Sequence, residues 1–308
     1  MKIRFVINPA AGAGDRAENI TEIVSDVLSD KRGIFEVRVS RFRGDGHELA
    51  KEAARKGYDM VFAYGGDGTV NEVASALVGT DTVLGIIPAG SGNGLARALS
   101  IPFNVEEAIA LAFDGRVREI DAGSVAGRFF FSTSGLGFDA HLSALYDKRT
   151  SHGGRRGVLP YIPLGIKEFF SYRAEPLMVK SDVDSEGEGG YVRIYPFVLT
   201  VANTSQYGGG AIIAPGAKCD DGLFDLCVLE EMGIIRAAFG FIKLFTGKID
   251  RSTAFTRVLM PRVEILREKS GVMHVDGEPF LCNDTKLIFT NLPKALKVMV
   301  PAEKESNE

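Results

Sequence analysis

The chain has 308 residues, of which 45% are apolar and 25% charged, values typical of a folded globular protein long enough for two domains. A formal net charge of −4 excludes a strong overall attraction to nucleic acid. Three cysteines without a Cys-x-x-Cys pair exclude a disulfide framework and indicate a reducing compartment. Since no stretch approaches the roughly 18 apolar residues of a membrane span and the N-terminus does not fit a signal peptide, we expect a cytoplasmic protein.

The first part of the chain alternates between predicted strands and predicted helices. Apolar runs predict strands at 2–7, 34–39, 59–63 and 82–87, and helical spacing follows at 16–28, 45–53, from 70 and from 95, with a further helix at 105–113. Three of these strands are followed by a glycine-rich segment. In a parallel sheet such segments emerge at the carboxyl ends of the strands, where α/β folds bind ligands.

The segment at 64–72 is the most informative of the three, because it places Asp67 among Gly65, Gly66 and Gly68. Glycines let backbone N–H groups approach a ligand closely, and a helix N-terminus behind them favours an anion. Asp67 would repel a phosphate unless a cation lay between them, so the segment predicts a nucleotide phosphate held with Mg²⁺. The alternative is a plain glycine-rich turn. Three such segments at one sheet edge favour nucleotide binding.

The sequence pattern changes near Val117, where β-branched and aromatic runs with hairpin-like turns predict a second, mainly antiparallel domain. A long apolar segment at 231–248 interrupts this domain and carries positive charge only at Arg236, Lys243 and Lys248. Two structures fit the segment: a helix buried in the core, which is the more common arrangement, or an apolar surface that meets lipid.

Several motifs, taken together and in order, resemble the diacylglycerol kinase catalytic family, which includes sphingosine kinases and bacterial lipid kinases. They cover nearly the whole chain. The motifs are Asn8-Pro9 with Gly12, the 65–72 segment, Pro88-Ala89-Gly90-Ser91-Gly92-Asn93, Arg118-Glu119-Ile120-Asp121, the turn at 218–225, and Val275-Asp276-Gly277-Glu278.

The resemblance implies an N-terminal three-layer α/β domain with a parallel sheet and a C-terminal, mainly antiparallel β-sandwich domain, with the active site between them. We expect the nucleotide-binding domain at 1–120 and the lipid-substrate domain at 121–291. The last strand, at about 292–303, is expected to return to the first domain.

The resemblance also implies site residues. Glu278 matches the proposed general base, and Asp67 matches an acid described as the base in sphingosine kinases; Asp67 and Asp121 match acids around a catalytic Mg²⁺. Residues expected to contact ATP are Asn8, Pro9, Ala10, Ala11, Gly12, Ser40, Gly65, Gly66, Asp67, Gly68, Thr69, Val70, Asn71, Glu72 and Ser91. From the residues alone, the favoured interpretation of Glu278 is an acid beside an Asp-Gly hairpin turn.

A structural Mg²⁺ site is implied at Lys218, Asp221 and Leu223, with main-chain carbonyls from Lys218 and Leu223. Asp139 resembles the acid with which sphingosine kinases read an amino-alcohol head, although it could simply cap the following helix. Gly94 stands where diacylglycerol-type bacterial members usually carry an acid, which is closer to the sphingosine kinase pattern.

These features predict an ATP- and Mg²⁺-dependent lipid kinase that phosphorylates a hydroxyl of a long-chain base or a diacylglycerol-like lipid at a membrane surface. The expected partners are ATP and this lipid, without nucleic acid, and homodimerisation is left open. Two alternatives are a soluble NAD kinase-like enzyme, which shares the Gly-Gly-Asp-Gly loop, and a nucleotide- or lipid-binding regulator that has lost catalysis, suggested by Gly94.

Overall fold

The structure, a computed structural model, describes residues 1–12, 16–151, 161–180 and 190–302. The chain divides into two compact units, one of residues 1–120 with 294–308 and the other of residues 121–293. The first unit contains β1 (Lys2–Ile7), α1 (Arg16–Leu28), β2 (Ile34–Val39), α2 (Asp45–Arg55), β3 (Met60–Gly65), α3 (Asp67–Leu77), β4 (Val83–Pro88), α4 (Gly94–Ala98) and α5 (Val105–Asp114).

The strands of the first unit form a parallel sheet in the order β2-β1-β3-β4. Successive side chains of β1 point to opposite faces: Phe5 belongs to a core formed with α1 and α5, whereas Arg4 donates hydrogen bonds to Leu49 O and Glu52 of α2. Helices therefore cover both faces of the sheet. The predicted three-layer α/β architecture with a parallel sheet is confirmed.

The loop within the glycine-rich segment at 64–72 is shorter than the sequence predicts. β3 extends through Gly65 and α3 begins at Asp67, so only Gly66 lies between strand and helix. Ala89 N–H donates to Gly65 O at 2.8 Å, which prolongs the pairing of β3 with the chain that leaves β4. Most of the predicted nucleotide loop is consequently the first turn and a half of a helix.

The second unit is mainly β structure. A long strand, β5 (Gly115–Val125), leads into it, and another, β18 (Lys286–Pro301), leads out of it. Between them lie β6 (Arg128–Phe130), β7 (Thr133–Gly137), α6 (Phe138–Ser151), α7 (Tyr161–Phe169), β8 (Leu177–Lys180), β9 (Tyr191–Ile194), β10 (Pro196–Ala202), β11 (Gln206–Gly208), β12 (Ala211–Ile212), β13 (Phe224–Glu230), α8 (Ile234–Phe245), β14 (Phe255–Met260), β15 (Arg262–Arg267), β16 (Gly271–Val275) and β17 (Glu278–Cys282).

Two antiparallel layers enclose the core of the second unit. One follows the order β14-β13-β10-β7-β16-β17. In the other, β15 pairs with β8 and with residues 286–290 of β18, and β8 pairs with β9. Phe130 stacks on Phe224 of the first layer and meets Phe289 of the second edge-on. The predicted antiparallel β sandwich is confirmed.

Helix α8 contradicts the expectation that the 231–248 segment is buried. Within this helix only Gly240 is buried. Ile235 is 72% exposed and Phe239 62% exposed, and the other exposed apolar residues are Ile234, Phe241, Ile242 and Phe245. The apolar spacing fits a core helix equally well, but in the described part of the chain these side chains remain exposed. None of the helices in the described ranges is both long and apolar enough to span a bilayer.

The end of β18 belongs to the first unit, where Val298 pairs with Leu84 of β4, the last strand in the order β2-β1-β3-β4. Val298 is 0% exposed, whereas Val39, on the edge strand β2, is 50% exposed. We expect Val298→Ala to lower the free energy of unfolding by about 1.5–3 kcal/mol, because it removes a fully buried isopropyl group.

The matched variant Val39→Ala should change it by less than about 0.5 kcal/mol. Hydrogen exchange of the β1, β3 and β4 amides measures both effects. Equal protection in the two variants would show that the last strand does not stabilise the sheet.

Candidate active site

Three segments that carry predicted ATP-binding residues meet at the carboxyl ends of the parallel strands. Asn8, directly after β1, donates its backbone N–H to Tyr64 O at 3.0 Å and its Nδ2 to Thr69 Oγ1 at 2.9 Å. Gly12 N–H donates to Ala89 O at 3.0 Å. The convergence expected from the strand–loop–helix pattern is therefore present within the first unit.

Glycine is required where two of these segments touch. A Cβ on Gly90 would lie 2.5 Å from the Cα of Gly66, and a Cβ on Gly65 would lie 2.4 Å from the Cβ of Thr69. Real Cβ atoms do not approach other atoms this closely, so a side chain at 90 would push two segments apart and one at 65 would displace Thr69 in α3. The glycines thus permit close contact between backbones and between β3 and α3.

The Asp67 carboxylate holds the start of α4. Its Oδ2 accepts the backbone N–H of Asn93 at 2.8 Å and its Oδ1 accepts that of Gly94 at 2.7 Å. A Cβ on Gly92 would lie 2.5 Å from Oδ2, so a side chain at 92 would push against the Asp67 carboxylate. Asp67 is therefore a ligand of backbone N–H groups, a role that the sequence did not indicate.

The other predicted ATP contacts of the first unit have different surroundings. Glu72 accepts the N–H groups of Gly44 and Gly46 at 2.7 and 3.2 Å and so holds the start of α2. Ser40 donates its Oγ to Ile7 O at 3.2 Å, and Val70 is buried, whereas Ser91 is exposed. The remaining predicted contacts lie in the turn after β1 or in the first turns of α3: Pro9, Ala10, Ala11, Gly68 and Asn71.

Glu278 begins β17 immediately after a tight hairpin turn. Asp276 and Gly277 both have positive φ, 46° and 80°, as a type I′ turn requires, which confirms the predicted Asp-Gly hairpin. The Asp276 carboxylate accepts three consecutive backbone N–H groups, those of Phe131 (3.0 Å), Ser132 (2.7 Å) and Thr133 (3.1 Å). These contacts fix the turn that presents Glu278.

Asp121 lies against the turn in which the structural metal site was predicted. Its backbone N–H donates to Cys219 O at 2.6 Å, and its Oδ2 accepts Gly222 N–H at 2.7 Å. Asp121 is fully buried. Within the second unit the structure therefore brings Asp121 together with the 218–223 turn, a proximity that their separation in sequence did not predict.

The donor set of this turn suits a hard cation. The exposed carboxylate of Asp221 takes Leu223 N–H on Oδ1 at 3.1 Å, and carbonyl oxygens of Lys218 and Leu223 are the other predicted ligands. Mg²⁺ and Ca²⁺ prefer such oxygen ligands. Among the residues that the structure describes, no group of three or more His, Cys, Asp or Glu side chains could hold a metal, so this site would depend on carbonyls and water.

Asp139 lies in a polar cluster that the sequence did not reveal. Its Oδ2 lies within hydrogen-bond distance of Thr200 Oγ1 (3.2 Å), Tyr207 OH (3.1 Å) and His274 Nε2 (3.1 Å), and its Oδ1 accepts Ala140 N–H (2.8 Å). Thr200 Oγ1 and Tyr207 OH are also hydrogen-bonded to each other. Burial first, and then the Asp139 charge, raise the pKa of the Tyr207 phenol well above its ordinary value, so the phenol stays a donor.

The three partners of Asp139 lie 61 to 135 positions from it in the chain. Each falls in an ordinary strand pattern without a motif. Strand pairing places Thr200 and His274 on either side of Gly135, whereas Tyr207 reaches the carboxylate from the separate β11–β12 hairpin. A His two residues before an Asp-Gly turn is the one local signal that could have pointed to His274.

Both units match known domains. Residues 2–125 match the diacylglycerol kinase catalytic domain, and residues 132–300 match the YegS C-terminal NAD kinase beta sandwich-like domain. The chain is 31% identical over 296 residues to a protein named "Probable lipid kinase YegS-like" from Pseudomonas syringae pv. tomato, covering 92% of this chain and 91% of that protein. The chain belongs to this lipid kinase family.

Other relatives agree with this assignment. The chain is 29% identical over 315 residues to a protein named diacylglycerol kinase from Bacillus subtilis, covering 98% of this chain and 97% of that protein. The fold is similar to the crystal structure of a diacylglycerol kinase from Bacillus anthracis str. Sterne, with a TM-score of 0.70 and 20% identity over 97% of this chain and 96% of that one. The resemblance inferred from the motifs is confirmed.

The capping contacts of Asp67 can be tested by stability. We expect Asp67→Ala to lower the free energy of unfolding of the first unit by about 1–3 kcal/mol, because two N–H groups lose their acceptor. Asp81→Ala is the matched control. Asp81 is fully exposed, and its one ion pair among the described residues is with Lys297, so the free energy of unfolding should hardly change. Urea denaturation measures both variants, and equal midpoints would contradict the capping role.

Proposed function

We propose that this protein is an ATP- and Mg²⁺-dependent lipid kinase that phosphorylates a hydroxyl group of a diacylglycerol-like lipid or a long-chain base. The observation that carries the proposal is membership of the lipid kinase family over both units, residues 2–125 and 132–300. The contacts within each unit support individual roles.

The first unit supports ATP binding. Its glycine-rich segments meet at the carboxyl ends of β1, β3 and β4, and the N-terminus of α3, an 11-residue helix, lies among them. The first N–H groups of a helix have no acceptor within the helix and carry partial positive charge, so they favour a phosphate. The exposed Ser91 is available to contact the nucleotide.

The acids fit the needs of phosphoryl transfer, which depends mainly on positioning and on neutralising charge. We assign Asp67 and Asp121 to the catalytic Mg²⁺ and its waters, and Lys218, Asp221 and Leu223 to a structural Mg²⁺. Bound Mg²⁺ would neutralise negative charge on the phosphates. Glu278 would take the proton of the lipid hydroxyl as its oxygen bonds to the γ-phosphorus and ADP leaves.

Glu278→Gln tests the general base. We expect turnover to fall by ~10²–10⁴-fold, because the amide cannot accept the hydroxyl proton. Glu268→Gln, at an exposed position of the second unit, is the matched control and should turn over like the wild type. Wild-type turnover in Glu278→Gln would move the role to Asp67, the other acid proposed as base.

The contacts of Asp139 bear on the lipid acceptor. Three side chains of the protein already contact Oδ2, and Ala140 N–H occupies Oδ1. A carboxylate offers about four acceptor sites, so little capacity is left for a substrate ammonium. This supports a neutral, diacylglycerol-like acceptor over a long-chain base. In this proposal Asp139 holds Thr200, Tyr207 and His274 in place and does not bind the substrate.

Asp139→Asn distinguishes the two acceptors. We expect activity on diacylglycerol and on sphingosine to fall by the same factor, because the substitution disturbs contacts within the protein. Lipid kinase assays with both substrates under one set of conditions measure the ratio. A loss at least 10-fold larger with sphingosine would instead support a direct pair between Asp139 and the ammonium.

Helix α8 supports action at a membrane surface. Its exposed Ile235 and Phe239 are accompanied by exposed Arg236 within the helix and Lys248 just beyond it. Apolar side chains of an interfacial helix enter the acyl boundary, while basic side chains stay at the level of anionic headgroups. We therefore infer that this surface binds an anionic bilayer that contains the lipid substrate.

Phe239→Ser tests this docking. We expect sedimentation with phosphatidylglycerol-containing vesicles to fall by about 10-fold, because a large apolar contact with the bilayer is lost. Phe42→Ser is the matched control, since Phe42 of the first unit is also 62% exposed. Equal vesicle binding of the two variants would contradict docking through α8.

The proposed function as a whole is tested by γ-labelled ATP with a panel of diacylglycerol, phosphatidylglycerol, ceramide and sphingosine. We expect label in the lipid extract that depends on Mg²⁺. NAD belongs in the same panel because the C-terminal match is named for its likeness to NAD kinase, and formation of NADP would support that second candidate. ATP binding without label in any acceptor would support an inactive regulator.

A further inference from the structure

Three adjacent strands of the second unit place a row of residues beneath Asp139. Gly135 on β7 is paired with Thr200 of β10 on one side and with His274 of β16 on the other. Asp139 follows β7 at the start of α6, and its Oδ2 lies within 3.2 Å of both Thr200 Oγ1 and His274 Nε2. The carboxylate thus spans the row above the glycine.

This arrangement leaves no room for a side chain at position 135. A Cβ on Gly135 would lie 2.6 Å from Asp139 Oδ2 and 2.7 Å from His274 Nε2. His274 is buried, with its side chain 2% exposed, so the imidazole has few alternative positions. The absence of a side chain at 135 is what lets the acid and the imidazole meet.

The other ring nitrogen of His274 faces the hairpin turn. Gly277 N–H donates to His274 Nδ1, with the two nitrogens 3.4 Å apart. Because an N–H can only donate, Nδ1 is the acceptor and Nε2 carries the hydrogen that is donated to Asp139. One neutral imidazole therefore satisfies both contacts at once.

Gly277 precedes Glu278 directly, so the ring connects the start of α6 to the residue that presents the proposed base. We propose that His274 is a positioning residue, which holds the Asp276-Gly277 turn through Nδ1 while Asp139 fixes the ring through Nε2. This inference rests on the proposed lipid kinase function. His274 contacts neither substrate, and its effect on turnover is transmitted through the Gly277 amide.

The decisive variant is His274→Phe, which keeps a planar ring and removes both hydrogen bonds. We expect kcat for the lipid substrate to fall by about 10- to 100-fold, since small displacements of a catalytic group have effects of this size, while KM for ATP and lipid stays within about 2-fold. Exchange of the Gly277 amide hydrogen, followed by NMR, should accelerate by at least about 10-fold.

Two further variants separate positioning from stability. His274→Asn can place Oδ1 near the position of Nδ1, and we expect it to recover part of kcat and of the Gly277 protection. Met273→Ala removes the neighbouring side chain, which is fully buried. Among the described contacts, the Met273 side chain forms no hydrogen bond with the turn. The substitution should lower the unfolding temperature and leave kcat within about 2-fold of the wild type.

Each result decides between the proposals. Unchanged Gly277 exchange or unchanged kcat in His274→Phe would overturn the positioning role, as would a loss of kcat in Met273→Ala equal to that in His274→Phe. Absence of lipid phosphorylation by the wild-type protein would overturn the lipid kinase function itself. An assay of the wild-type protein alone would reveal a failure of the lipid kinase function. Hydrogen exchange of the Gly277 amide would still show whether the His274 ring holds the turn.

Discussion

Backbone N–H groups at the ends of strands and helices must have acceptors, and at the candidate sites of this chain carboxylates supply them. Asp67 accepts the N–H groups at the start of α4, Glu72 those at the start of α2, and Asp276 three consecutive N–H groups after β6. Where these turns are withdrawn from water, an unmet N–H would cost about 1–3 kcal/mol. The geometry of the glycine-rich segments and of the hairpin before Glu278 depends on these contacts.

This constraint changes how the acids of the family motifs are understood. An acid in a glycine-rich segment suggests a cation ligand, because a bare carboxylate repels phosphate. Asp67 has both oxygens engaged with N–H groups, which spread its charge over the backbone of the neighbouring segment. Because Asp67 has a structural role, a stability measurement is needed beside any measurement of activity in its variants.

Glycines act here chiefly through close contact. Gly90 lets two backbones touch at the sheet edge, and Gly135 lets Asp139 meet His274 across a strand. In both places a methyl group would force these neighbouring groups apart.

Local sequence patterns were sufficient to predict the order of strands and helices in the first unit, the antiparallel second unit, the family and the Asp-Gly hairpin before Glu278. These are local: they follow from apolar periodicity, turn residues and motifs that are contiguous in the chain. The exposure of α8 and the meeting of Asp139 with Thr200, Tyr207 and His274 emerged only from the folded chain. Asp139 lies more than 60 positions from each of these partners, and periodicity carries no information about which distant residues a side chain contacts.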